Sequence, residues 1–364
     1  MKIAQVEAIP LSIPFSFGGS AYRLGASSKL ALDFCLVRVT TDDGLVGWGE
    51  AFAYSSRTAV AAAVRDMVAP LAIGQDAADI AGLSYRLQQS LHIFGRYGIT
   101  MHAISGLDIA LWDLAGKRAG KPLHQLLGGT ARTSIPAYAS LLRYGDAALV
   151  AQYAARAVGE GFAAIKLHEI DEIVVAAARA AVPGKVPLMF DVNCAWSPDA
   201  AQTICARLAA HAPHWIEEPV FPPEDFAGLK QVRGHAGVAL AAGENWCTAT
   251  QFRHALDAGA VDIVQPSVTK VGGVSEFVKV AALARERGVR VAPHSPYFGP
   301  GAIATLHLLT TLAEPAWFEL YYLDAGAALF GAALKPVNGV MTIPQGPGLG
   351  VEPALDVIAR FRTD

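Results

Sequence analysis

Short apolar runs that end in a single polar residue recur through the second half of the chain, and this recurrence narrows the possible folds more than any other feature. The run-ending residues are Lys166, Asp191, Glu217, Glu244, Ser267, His294 and Glu319, spaced 23 to 27 residues apart. One step further back lies another short apolar segment, Ile135-Pro136-Ala137-Tyr138-Ala139-Ser140, after a Gly128-Gly129 turn. A strand, a helix and their turns occupy about 25 residues, and eight such units close into a (β/α)₈ barrel whose chemistry sits at the C-terminal strand ends. The polar run-ends therefore fall on a catalytic rim.

At 364 residues the chain has room for a barrel and one smaller domain. A hydrophobic share of 53% with only 17% charged residues indicates a well-packed body and argues against disorder. A membrane span needs roughly 18 uncharged apolar residues in a row, which the sequence lacks, and Met1-Lys2-Ile3-Ala4-Gln5 reads as a strand opening instead of a leader, so a cytoplasmic location is expected. The net charge of −3 and singly scattered Lys and Arg exclude a phosphate-backbone partner. Cys35, Cys194, Cys205 and Cys247 show neither CxxC pairing nor zinc spacing and read as buried reduced thiols.

Residues 2–9, 35–39 and 46–50 read as three strands of a small antiparallel sheet, the last two joined across Asp42-Asp43-Gly44. Between the first two, residues 15–28 are Gly- and Ser-rich and carry Tyr22 and Arg23. That composition predicts a loop outside the core, of the kind that forms lids. Residues 58–127 carry apolar positions at helical steps, as in Ile104, Leu107, Leu111 and Leu114, and stop at Gly120-Lys121-Pro122. The expected division is a capping domain at 1–128, a barrel at 129–323 and a segment at 324–364 that returns to the cap in place of an eighth full helix, with Met341-Thr342-Ile343-Pro344 as one short strand. Barrel helices are expected at 146–159, 172–181, 198–210, 225–234, 249–258, 273–287 and 302–312.

Asp191, Glu217 and Glu244 end three consecutive strands and so become neighbours in a barrel. One such carboxylate would be a helix cap or a surface ion pair; three at one period repel unless a cation neutralises them. An all-oxygen set points to Mg²⁺ with coordination positions left for substrate. Glu218 points away from Glu217 and reads as a support behind the ligands or as wall. Lys166 and His168, two apart, share one side of their strand, and His294 stands five strands later, so bases flank the metal. That equipment removes a proton from the carbon beside a carboxylate and stabilises the enediolate.

With these residues in view, the chain resembles the enolase superfamily and its mandelate racemase-like subgroup. The resemblance is carried by Gly47-Trp48-Gly49-Glu50, Gly106-Leu107-Asp108-Ile109-Ala110-Leu111-Trp112-Asp113, Asp191-Val192-Asn193, Ile216-Glu217-Glu218-Pro219, Gly243-Glu244-Asn245-Trp246 and Val271-Gly272-Gly273. It implies a modified (β/α)₇β barrel under an α+β cap built from both termini, Mg²⁺ on Asp191, Glu217 and Glu244, a homo-oligomer such as an octamer or dimer, and specificity lids at 15–28 and 51–57. Lys166, His168, His294 and Glu319 become the catalytic candidates, Glu319 as the eighth-strand electrophile. Tyr22, Arg23, Asn193, Asn245, Ser267 and Lys270 become candidates to contact substrate or support the ligands.

Two positions depart from the subgroup's pattern. Its second strand usually ends Lys-x-Lys, where this chain has Lys166-Leu167-His168, and its sixth strand ends in an aspartate that pairs with the seventh-strand histidine, where this chain has Ser267. Lys270 does not align with the sixth-strand lysine of related subgroups, which would fall at Ser267. A histidine base needs no large pKa depression to work near neutrality. The expected activity is Mg²⁺-dependent dehydration of an aldonic or aldaric acid. The alternatives are a racemase or epimerase of an α-hydroxy acid, a metal-binding paralogue without turnover, and a Schiff-base aldolase using Lys166.

Overall fold

The structure is a computed structural model that describes residues 1–19, 30–314 and 316–363. Tyr22 and Arg23 lie outside the described residues. Three strands, β1 (Ile3–Ser16), β2 (Ala31–Thr41) and β3 (Val46–Phe52), form an antiparallel sheet. Eight parallel strands follow: β4 (Ser134–Leu141), β5 (Ala164–Leu167), β6 (Leu188–Asp191), β7 (Ile216–Glu217), β8 (Leu240–Ala242), β9 (Ile263–Val264), β10 (Arg290–Val291) and β11 (Phe318–Tyr321). They curl in the order β10-β9-β8-β7-β6-β5-β4-β11, the barrel the period predicted. Among the described residues no ladder joins β10 to β11. β10 is two residues long, and Pro293, which has no N–H to donate, follows it closely.

β1 runs seven residues beyond the expected end at Ile9, because Ile9, Leu11, Ile13 and Phe15 alternate inward and are all buried. Pro10 and Pro14 lie within it, paired opposite Cys35 and Ala31. Residues 15 and 16 are thus strand, and Phe15 and Phe17 are core, contrary to the expected loop outside the core. The helical stretch divides into several pieces, chiefly Ile80–Ser90 and Gly98–Ala119. Barrel helices lie within one to three residues of the expected ends, the largest shift being Pro300–Leu309, where Pro300 opens the first turn.

The Gly-rich motifs of the N-terminal region pack a strand on a helix. A Cβ at Gly49 would strike the Gly106 carbonyl, so β3 can lie against Gly98–Ala119 only without side chains there. Asp113 of that helix accepts from Trp48 N at 2.9 Å and from Leu349 N at 2.8 Å, tying the sheet and the C-terminal segment to one carboxylate. That segment divides its contacts. β12 (Asp324–Ala325) pairs with β1, and Thr363 N donates to Pro10 O at 2.9 Å, but β13 (Val340–Thr342) pairs with β4 of the barrel. The expected Met341 strand therefore docks on the barrel instead of the cap, since the edge of β4 at Ser134–Pro136 is free to accept it.

β3 also stitches the cap to the rim. Phe52 N donates to Thr269 O at 3.3 Å, Tyr54 OH to Pro296 O at 2.5 Å, and Gly301 N to Glu50 Oε2 at 2.9 Å. Glu50 is fully buried, and burial pushes its carboxyl from 4.5 up to about 8. Because the folded value lies above the unfolded one, the associated stability is fully present below pH 4.5 and is lost as pH rises through about 8. Urea unfolding across that window should show a stability difference between wild type and Glu50→Gln that moves in favour of the variant by up to about 1.4 kcal/mol per pH unit. Parallel pH profiles would refute a neutral buried Glu50.

Candidate active site

β6, β7 and the turn after β8 bring Asp191, Glu217 and Glu244 together, with one carboxylate oxygen of each within 4.8 Å of the others. Asp191 and Glu217 are directly paired in the parallel register, so their side chains leave neighbouring strands at one level. The donors are all oxygen and the first two carboxylates are fully buried, which fits a hard divalent cation such as Mg²⁺.

Lys166, from β5, adjoins two of these carboxylates. Its Nζ donates to Asp191 Oδ2 at 3.1 Å and Glu217 Oε1 at 2.8 Å, and pairs with Glu319 Oε1 at 2.7 Å, with no solvent exposure. Burial works against its charge, but Glu217, Glu319 and Asp191 outweigh that and hold the ammonium well above the ordinary lysine range. Lys166 is here the counter-ion of three carboxylates, two of them candidate metal ligands. Burial likewise opposes ionisation of Asp191, yet Lys166 and His168 pull it below its ordinary value. Glu217 goes the other way: burial raises it, and Lys166 does not fully offset burial and the neighbouring Asp191 and Glu319.

Glu319 Oε1 accepts from Ser140 Oγ at 2.9 Å and Oε2 from Ser295 N at 3.0 Å. Despite burial, Lys166 and His294 hold its carboxyl down. Glu319, the expected electrophile, thus faces Lys166 from the eighth strand.

Two imidazoles face the ligands from different strands. His168 Nδ1 lies 2.6 Å from Leu141 O, so that nitrogen carries a proton, and Nε2 points at Asp191 Oδ2, 3.3 Å away. His294 Nε2 lies 2.5 Å from Glu244 Oε2. Burial disfavours the charge on Glu244, but His294 and Lys270 bring its carboxyl down to about 2. Behind His294, Nδ1 meets two hydroxyls, Tyr297 OH at 3.0 Å and Ser267 Oγ at 3.3 Å, which contact each other closely. Burial raises the Tyr297 phenol well above its ordinary value, so it stays neutral.

Around these groups sit the expected supporting residues. Asn193 donates through N and Nδ2 to Asp191 Oδ1 at 3.0 and 2.9 Å, and Asn245 Nδ2 to Glu244 Oε1 at 3.3 Å. Lys270 Nζ donates to Asn245 Oδ1 at 3.3 Å and lies 4.8 Å from the centre of the Phe52 ring. Glu218, read as support or wall, accepts from Gly243 N at 2.8 Å, and burial raises its carboxyl to about 7. Sequence reasoning missed Trp215, whose Nε1 donates to Glu217 Oε2 at 2.9 Å, and Tyr297. Trp215 could have been found, since it precedes Glu217 by two on one strand. Tyr297 follows His294 in a loop, where no periodicity reports direction.

Fold and rim together define an enolase-type capped barrel enzyme. Residues 22–128 match the mandelate racemase / muconate lactonizing enzyme N-terminal domain, and residues 148–357 match the enolase C-terminal domain-like family. The chain is 36% identical over 349 residues to the D-galactarolactone cycloisomerase of Agrobacterium fabrum, covering 90% of each protein. It is 31% identical to the D-gluconate dehydratase of Thermoproteus tenax, covering 94% of this chain and 72% of that one. A racemase from Streptomyces coelicolor A3(2), solved with bound magnesium, superposes with a TM-score of 0.87 at 29% identity, over 99% of this chain and 100% of the other. The chain belongs to the mandelate racemase / muconate lactonizing enzyme family of the enolase superfamily.

Removing Lys166 strands buried carboxylates without a counter-charge. Lys166→Met should destabilise the metal-free protein by about 3–5 kcal/mol, and added Mg²⁺ should raise its melting temperature by more than it raises that of wild type. A variant that melts with wild type in EDTA would dismiss this role.

Proposed function

We propose that this chain removes the α-proton of a hydroxy carboxylate and expels the oxygen on the next carbon, acting as a Mg²⁺-dependent acid-sugar dehydratase. Mg²⁺ on Asp191, Glu217 and Glu244 would supply Lewis-acid stabilisation of the charge that develops on the substrate carboxylate. His168 is the proposed base: Nδ1–H is committed to Leu141 O, which leaves Nε2 as the proton acceptor on the ligand side. Lys166, on the same side of its strand, is paired with Glu319 as well as with two of the carboxylates assigned to the metal.

The observation that favours elimination over racemisation is the pair of neutral hydroxyls on His294 Nδ1. A carboxylate there would make the imidazole more basic and equip it as a second proton acceptor. In the tautomer proposed here the neutral phenol donates to Nδ1 and the ring proton sits on Nε2, where it can protonate a departing oxygen. The departing group is a hydroxyl in an open-chain acid. In a cyclic acid it is the ring oxygen, and the 36% identity to a galactarolactone cycloisomerase favours that ring-opening variant as the second reading.

The test is a panel of aldonic, aldaric and lactone acids assayed for 2-keto acid and, in D₂O, for α-proton exchange. His168→Ala should abolish both. His294→Ala should retain exchange and lose product, and Tyr297→Phe should lower product formation about 10- to 100-fold while sparing exchange. Exchange of both enantiomers of one substrate without any keto acid would replace elimination by racemisation. Glu217→Gln should remove the metal-dependent activity while the fold persists; full activity would overturn the metal assignment.

A further inference from the structure

Solvent-exposed apolar side chains gather in one short stretch of the cap. Of the large apolar residues exposed among the described residues, five fall between positions 85 and 99: Tyr85, Ile93, Phe94, Tyr97 and Ile99. Tyr85 sits on helix Ile80–Ser90, Ile93 and Phe94 on the short turn His92–Phe94, Tyr97 at the start of helix Gly98–Ala119 and Ile99 in its first turn. The two helices pack on each other. Tyr85, Gln89 and His92 are all exposed and succeed one another at helical steps, so the open face of the first helix runs on into the turn.

The exposure is large: 66% for Tyr85, 72% for Ile93, 60% for Phe94 and 63% for Tyr97. A fully buried aromatic side chain covers about 150–250 Å², so the stretch offers on the order of 500 Å² of apolar surface. That is close to the apolar share of one side of a standard interface, which buries roughly 800 Å² per partner. The display is also fixed from behind. Arg96 donates through Nε and Nη2 to Gln88 Oε1 at 3.2 and 2.8 Å, Gln88 Nε2 donates to Glu276 Oε1 at 3.4 Å, and Glu276 Oε2 accepts from Ala249 N at 2.7 Å. These bonds run from the cap into the barrel helices Gly273–Glu286 and Thr248–Ala258. A surface held in this way has little freedom left to lose on association.

Its charge indicates what covers it. Residues 80–99 contain no acidic side chain; Arg86 is paired with Asp79 at 2.9 Å, and Arg96 is turned onto the buried Gln88 and Glu276. A partner of opposite charge would find no unpaired charge to meet. The matching surface is apolar and neutral, and a second copy of the chain presents one by symmetry. A two-fold contact sets the rings against their own images without like-charge repulsion. We propose that residues 85–99 form the two-fold interface of a homodimer, with Phe94 and Tyr97 packed against the second copy.

Sedimentation velocity of the full chain at micromolar concentration tests the assignment. Wild type should sediment at twice the chain mass or an even multiple of it. Phe94→Asp/Tyr97→Asp should raise the dissociation constant of the two-fold contact at least about thirtyfold and so at least halve the mass, with the circular dichroism spectrum retained. Tyr85→Lys/Ile93→Lys, on the same face, should do likewise and serves in its place if the first variant does not fold. Ile173→Asp, which alters an equally exposed apolar residue on a barrel helix, should leave the mass unchanged. A monomeric wild type overturns the assignment, as does an assembly that survives both double variants or one that is broken by Ile173→Asp and not by them.

Discussion

One lysine with no access to water holds the centre of this barrel together. Burying Lys166 alone, or any of Asp191, Glu217 and Glu319 alone, would be prohibitive, because taking an unpaired charge out of water costs several kcal/mol even after relaxation. Together they form a cluster in which every charge has a partner within 3.1 Å. The balance is uneven: three carboxylates face one ammonium, and the mismatch appears as opposite shifts, Asp191 and Glu319 held down while Glu217 is pushed up. An excess of buried negative charge is the electrostatic definition of a cation site. The strand register, the supporting Asn193 and Trp215, and the placement of both histidines all serve that arrangement.

The two histidines differ in what holds the nitrogen turned away from the ligands. A backbone carbonyl cannot donate, so it fixes a proton on His168 Nδ1 and turns Nε2 to Asp191. A hydroxyl can donate or accept, so His294 keeps the freedom to carry its proton on Nε2. The family relation admits dehydratases and cycloisomerases alike, and both need one proton taken and one delivered.

The barrel, the order of its elements and the three converging carboxylates were legible because a strand-helix repeat imposes a spacing and a spacing survives in sequence. Asp191, Glu217 and Glu244 stand where the period puts them. What escaped was set by contacts across the fold. Lys166 reads as a base at a strand end, and its ion-paired state depends in part on Glu319, 153 residues later, reaching the same ammonium. Tyr297 lies in a loop where direction cannot be counted. Pro10 and Pro14 masked the long first strand, although the inward alternation of Ile9, Leu11, Ile13 and Phe15 was there to be read. β13 was foreseen as a strand, but its partner β4 was not, because an exposed strand edge leaves no mark in the sequence of the strand that will cover it.

The pairing of β1 with β12 has a bearing on how the molecule is made. β1 is synthesised long before β12, which completes its outer edge, and long before Thr363, which bonds to Pro10. Until those later residues emerge, the cap must wait with an open edge and an incomplete core while the barrel grows behind it. Such an edge invites pairing with other chains. A cap of this construction makes the finished enzyme a late event, because a strand made early is completed by one made much later.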